Sequence, residues 1–140
     1  MPSLLKKQNV IWKLSVTVYA AALFAISSSA WSTSFTIVDG QFVTSQQTLY
    51  SNETGTINSG GDLTTSVNAI YANSASNITV LNSGAITTSG TSGYGIYSSL
   101  NSGTNTLTNS GTITTSGTSG YGIYEWVNSG TNTLANQFYS

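Results

Sequence analysis

Asn82-Ser83-Gly84-Ala85-Ile86-Thr87-Thr88-Ser89-Gly90 returns, one period later, as Asn109-Ser110-Gly111-Thr112-Ile113-Thr114-Thr115-Ser116-Gly117. The period is 27 residues and it persists downstream. Tyr94-Gly95-Ile96-Tyr97 recurs as Tyr121-Gly122-Ile123-Tyr124, and Asn101-Ser102-Gly103-Thr104-Asn105-Thr106-Leu107 as Asn128-Ser129-Gly130-Thr131-Asn132-Thr133-Leu134. A period of this length marks stacked supersecondary units, each burying its apolar side against the next. Such a chain supplies a surface or a spacer more readily than one unique pocket.

Upstream the pattern continues in weaker form. Ile57-Asn58-Ser59-Gly60 begins an earlier copy, Leu63-Thr64-Thr65-Ser66 aligns with Ile86 to Ser89, and Ala69-Ile70-Tyr71 with Gly95-Ile96-Tyr97. Thr79-Val80-Leu81-Asn82 aligns with Thr106 to Asn109. Each copy holds three short strand candidates, which in the last are Thr112–Thr114, Gly122–Val127 and Thr131–Ala135. Asn-Ser-Gly and Ser-Gly-Thr-Ser-Gly segments separate them, with the Gly and Asn that corners at positive φ require.

Side chains alternate along a strand, so Ile113 faces one way and both flanking Thr the other. Stacking the copies then gives three apolar columns: Leu63, Ile86, Ile113; Ile70, Ile96, Ile123; and Val80, Leu107, Leu134. Three columns enclose a thin triangular core. The expected fold is all-β, a parallel β-helix (β-solenoid) of about four coils. An antiparallel sandwich would not need one sequence to recur in phase. Tyr71, Tyr97 and Tyr124 each follow an inward Ile by one residue, so they should point outward and form an exposed aromatic ladder. A packing role is expected for it before a sugar platform.

The N-terminus is of another kind. Lys6, Lys7 and Lys13 are the only basic residues of the chain, and they precede the apolar run Leu14–Ile26 and then Ser27-Ser28-Ser29-Ala30. A basic start, an apolar stretch and small residues at Ser28 and Ala30 read as a helical secretory signal peptide cut before Trp31. The run is short for a membrane span and ends in small polar residues. The expected organisation is a signal peptide over 1–30, a degenerate first coil or cap over 31–56, solenoid repeats over 57–136 (57–81, 82–108, 109–135) and a short tail over 137–140.

From Trp31 onward there is no Lys, Arg, His or Cys, and the only charges are Asp39, Glu53, Asp62 and Glu125. Nucleic acid is excluded as a partner, because phosphate neutralisation needs cations. Disulfides are excluded as staples. A serine nucleophile would lack a base. The four acids fall in different coils and columns, so no carboxylate pair faces one sugar. Glu125 stands where the previous copy has Ser98, and reads as an isolated, solvated surface carboxylate. Gly60-Gly61-Asp62 only faintly matches a calcium-binding turn, and Asn52-Glu53-Thr54 and Asn77-Ile78-Thr79 match glycosylation sequons. No catalytic, cofactor or metal residues are expected.

The pairing of Asn82-Ser83-Gly84-Ala85-Ile86 with Gly93-Tyr94-Gly95-Ile96-Tyr97, and of their partners from Asn109 to Tyr124, resembles the degenerate repeats of bacterial autotransporter passenger domains (type V secretion). The resemblance spans Ile57 to about Asn136. It implies a right-handed β-helix, exported and displayed at, or released from, a Gram-negative cell surface. Autotransporters end in a translocator β-barrel, whereas here the repeat stops in mid-phase at Gln137-Phe138-Tyr139-Ser140. A truncated passenger is the expectation, held in the periplasm if the translocator is truly absent. The functional expectation is a non-enzymatic structural or adhesive stalk with a host-cell or glycan surface ligand. The alternatives are a self-assembling extracellular β-solenoid fibre, through end-to-end self-association, and an ice- or crystal-binding β-solenoid using Thr104-Asn105-Thr106 and Thr131-Asn132-Thr133.

Overall fold

A computed structural model describes residues 34–99, 102–126 and 130–137. Ser28, Ala30 and Trp31, and with them the expected signal peptide, lie outside the described residues, as does most of the tail. Thirteen strands and no helix occur among the described residues.

The chain visits three sheets in a fixed order. The first sheet contains β1 (Phe35–Ile37), β4 (Thr54–Ile57), β7 (Thr79–Asn82), β10 (Thr104–Asn109) and β13 (Thr131–Asn136). The second contains β2 (Phe42–Val43), β5 (Asp62–Thr65), β8 (Ala85–Thr88) and β11 (Thr112–Thr115). The third contains β3 (Gln47–Thr48), β6 (Ile70–Asn73), β9 (Ile96–Ser99) and β12 (Ile123–Trp126). Neighbours within each sheet are three elements apart and every pairing is parallel. This is a parallel β-solenoid. The segment over 31–56, expected to be a degenerate first coil or cap, supplies a strand to each sheet.

The expected columns are in register. Leu63 pairs with Ile86 and Ile86 with Ile113, Ile70 with Ile96 and Ile96 with Ile123, and Val80 with Leu107 and Leu107 with Leu134. Ile37, Leu49, Ile57 and Ile78 join the buried core, together with Ala69, Ala72 and Ala75. β-branched residues dominate it because their stiff side chains suit a pleated, closely stacked surface. Ile113 and Ile123 are only partly buried, and Leu134 is 49 % exposed, since each belongs to the last described strand of its sheet.

Upstream copies are shorter, and the turns absorb the difference. Phe35 pairs with Gly55, Gly55 with Val80, and Val80 with Leu107, so the spacing grows from 20 to 25 to 27 residues. Ile57 pairs with Asn82 and Asp62 with Ala85, which leaves four residues between the upstream pair and two between the downstream one. Asn58-Ser59-Gly60 is therefore not the counterpart of Asn82-Ser83-Gly84. It is a longer turn, closed by Gly61 N donating to Asn58 O at 2.9 Å.

One corner requires positive φ in every coil. Asn52 (φ 65°), Asn77 (φ 56°), Gly103 (φ 77°) and Gly130 (φ 133°) stack there. Asn tolerates the left-handed region because its short polar side chain bonds locally. Asn77 Nδ2 donates to Asn52 Oδ1 at 3.1 Å, and Asn77 Oδ1 accepts Thr104 N at 3.0 Å. The two sequon asparagines thus occupy a structural corner that explains their residue type without any glycan.

Candidate functional site

The interior holds more than hydrocarbon. Asn82 and Asn109, expected in turns, are the last residues of β7 and β10, and their amides are buried. Asn82 Nδ2 donates to Asn109 Oδ1 at 2.7 Å, and Asn109 Nδ2 donates to Asn136 Oδ1 at 2.8 Å. Asn82 Oδ1 accepts Gly84 N at 3.2 Å, which ties the ladder to the corner. A second ladder joins Asn105 Nδ2 to Asn132 Oδ1 at 3.0 Å, with Asn105 Oδ1 accepting Ile78 N at 3.2 Å. Parallel in-register stacking lets identical amides serve as donor and acceptor in turn. Asn109→Ala would orphan polar partners in the interior. It is expected to lower stability by about 1–3 kcal/mol in urea unfolding.

Glu125 is placed differently from its expected position. It pairs with Ser98, which pairs with Ala72, and both partners are buried on the inner face. Ile123 faces inward and strand alternation returns Glu125 to the same side. Its Oε1 is buried without a hydrogen-bond partner, and burial raises its carboxyl above the ordinary range. The other acids stand apart. Glu53 is buried, and its Oε2 accepts Tyr50 N at 2.7 Å to close a turn. Asp62 Oδ1 accepts Thr64 Oγ1 at 2.9 Å, and Asp39 sits exposed in the turn that packs on Gly60. Among the described residues no three His, Cys, Asp or Glu side chains cluster as metal ligands.

The outer surface carries two ordered features. On the first sheet Thr54, Thr79, Thr106 and Thr133 form one in-register column, interrupted beside it by Leu81 between Thr56 and Thr108. Thr64, Thr87 and Thr114 form another column on the second sheet, while Ala85 breaks the neighbouring one above Thr112. The third sheet carries tyrosine. Tyr71 stacks on Tyr97 with ring centroids 5.2 Å apart and planes within 9°, and Tyr97 on Tyr124 at 5.3 Å and 10°.

The sequence pattern missed a second row. Tyr94 stacks on Tyr121 at 5.8 Å and 8°, and Tyr94 leans against both Tyr97 (5.5 Å, 41°) and Tyr124 (5.2 Å, 36°). Rings stacked in this way cover one another's faces and present edges and hydroxyls outward. The stacking makes the rings one another's packing partners along the third sheet. Tyr97→Ala removes the middle ring and two stacked contacts. It should cost about 2 kcal/mol and weaken the near-ultraviolet circular dichroism.

A concavity of about 680 Å³ opens onto Ile113, Ile123, Leu134 and Asn136. It is the inner surface of the last described strands and its lining holds no titratable side chain. The geometry thus defines a class, a parallel β-solenoid with polar ladders inside and Thr and Tyr columns outside. Comparison of the chain with family models, with curated proteins and with solved structures gives no match.

Proposed function

We propose that this chain is a non-enzymatic structural or adhesive module, exported and built as the stalk of an autotransporter-type passenger in a Gram-negative bacterium. The observation that carries the reading is the stacking of all three sheets in parallel register, repeated with near-identical residues. Such a stack projects surface columns over a distance and spends its sequence on rungs instead of on a catalytic pocket. A right-handed coil, a signal peptide cut at Ser28-Ser29-Ala30 before Trp31, and a host-cell or glycan ligand belong to this proposal. Expression in a Gram-negative host followed by fractionation tests it. The expected product has Trp31 at its N-terminus by mass measurement and lies outside the inner membrane. A species that keeps Met1 and stays in the inner membrane would overturn export.

A second reading has one observation in its favour. The column Thr54, Thr79, Thr106, Thr133 has more rungs than the sequence pattern suggested, and stiff β-branched side chains repeat their hydroxyls at the ~4.8 Å strand spacing. An ice- or crystal-binding face would require this. Inhibition of ice recrystallisation by the chain, lost in Thr106→Lys, would support it, and no inhibition would remove it.

A further inference from the structure

The inner column below Ala72 and Ser98 accepts small, neutral side chains, and Glu125 alone brings a carboxylate into it. Ala72 and Ser98 are 1 % and 0 % exposed. The position is therefore a rung of the interior whose last described occupant can carry charge.

The surroundings offer the charge no compensation. β9, the strand packed on β12, contributes Tyr97 as its only titratable group, and that ring stands in the outer strip. On β12 itself the only other titratable group is Tyr124, also in the strip, joined there by Tyr94 and Tyr121. β10, β11 and β13 carry no titratable side chain. Asp39, Glu53 and Asp62 all precede β6, and no Lys, Arg or His occurs after Lys13. An ionised Glu125 has water on one side, a narrow interior on the other, and no cation to meet among the described residues. The neutral acid has half the problem removed, since a carboxyl can donate as well as accept.

We propose that Glu125 is a pH-sensitive latch on its coil, holding β12 tightly against β9 when neutral and loosening it when ionised. Any chain stacked beneath β12 would bury the carboxylate further and strengthen the effect. The module would then have one rung whose order follows the acidity of its medium.

The sign is fixed by linkage. Burial raises the folded-state pKa of this acid. Between the unfolded and folded pKa the folded chain binds more protons, so stability falls as pH rises. The latch is fully set below the ordinary carboxylate range and is released as pH climbs through the raised value.

The test is hydrogen exchange of the peptide covering Tyr124 to Trp126 in the full chain, at about pH 5 and about pH 7.5, corrected for the intrinsic chemical rate. In the native chain protection should rise several-fold toward acid, while peptides from β5 and β8 keep theirs. In Glu125→Gln, and in Glu125→Ser, which restores the residue at position 98, protection should be high at both pH values. Protection in the native chain that ignores pH would overturn the latch. So would an acid response that survives in both variants.

Discussion

Ile86→Asp is expected to unfold the middle of the stack, while Thr87→Asp one residue away is expected to be tolerated. Ile86 is fully buried and pairs with Leu63 above and Ile113 below. A carboxylate there would sit in a core with no cation to pair it among the described residues, which hold no Lys, Arg or His. The cost combines a lost apolar side chain with an unpaired buried charge and should reach about 4 kcal/mol or more. Thr87 points outward between Thr64 and Thr114, and a charge there stays in water. Its replacement should cost well under ~1 kcal/mol. Ile113→Asp should fall between the two, because Ile113 is only partly buried. Urea unfolding followed by far-ultraviolet circular dichroism measures all three. Equal midpoints for the Ile86 and Thr87 variants would mean that inside and outside have been exchanged.

Gly84→Ala is the second large effect, and its cause is backbone crowding. Where the coils turn from the first sheet to the second, they approach so closely that a methyl at Gly84 would run into the carbonyl oxygen of Gly61 and crowd that of Asn58. Neither obstacle is a flexible side chain that could swing aside. Gly111 meets the same obstacle one coil on, against the carbonyl of Gly84. The third residue of Asn-Ser-Gly is thus fixed by the coil above it. Overpacking against a backbone with nowhere to move should cost about 3 kcal/mol. It should also cut amide protection at Ala85, whose N–H bonds Gly61 O at 2.9 Å. Gly40→Ala serves as the comparison: it has φ of 73° but nothing within 4 Å of an added methyl. It should therefore cost only the backbone penalty of about 1 kcal/mol. If Gly84→Ala proves no worse than Gly40→Ala, the coils are not in the contact described.

The apolar columns were legible because Ile and Leu recur at one phase of a fixed period, and nothing but stacking explains that. The first coils were harder to read, since their spacing drifts from 20 to 27 residues and Phe35 lies opposite Gly55 and not opposite another large residue. Asn82 and Asn109 were misplaced for a physical reason. Asn is a good turn former on its own, and only a partner amide one rung away makes it a good core residue. Glu125 could have been found, because it lies two residues after an inward Ile and period-2 alternation puts it inside. Its chemistry argued for the surface, and position outweighed chemistry. Tyr94 and Tyr121 lie just before a strand, where alternation says nothing about direction. Their stacking follows from how the corner turns.

The parallel register itself is best tested by cysteine pairs, because the chain has no cysteine of its own. Thr64, Thr87 and Thr114 lie on successive rungs of the outer second sheet. Neighbouring parallel strands stand ~4.8 Å apart, within the Cα separation a disulfide spans, and two rungs exceed it. Thr64→Cys with Thr87→Cys, and Thr87→Cys with Thr114→Cys, should each oxidise to one intramolecular disulfide in the folded chain. Thr64→Cys with Thr114→Cys should stay reduced. An intramolecular bond between positions 64 and 114, or none between 87 and 114, would contradict the solenoid.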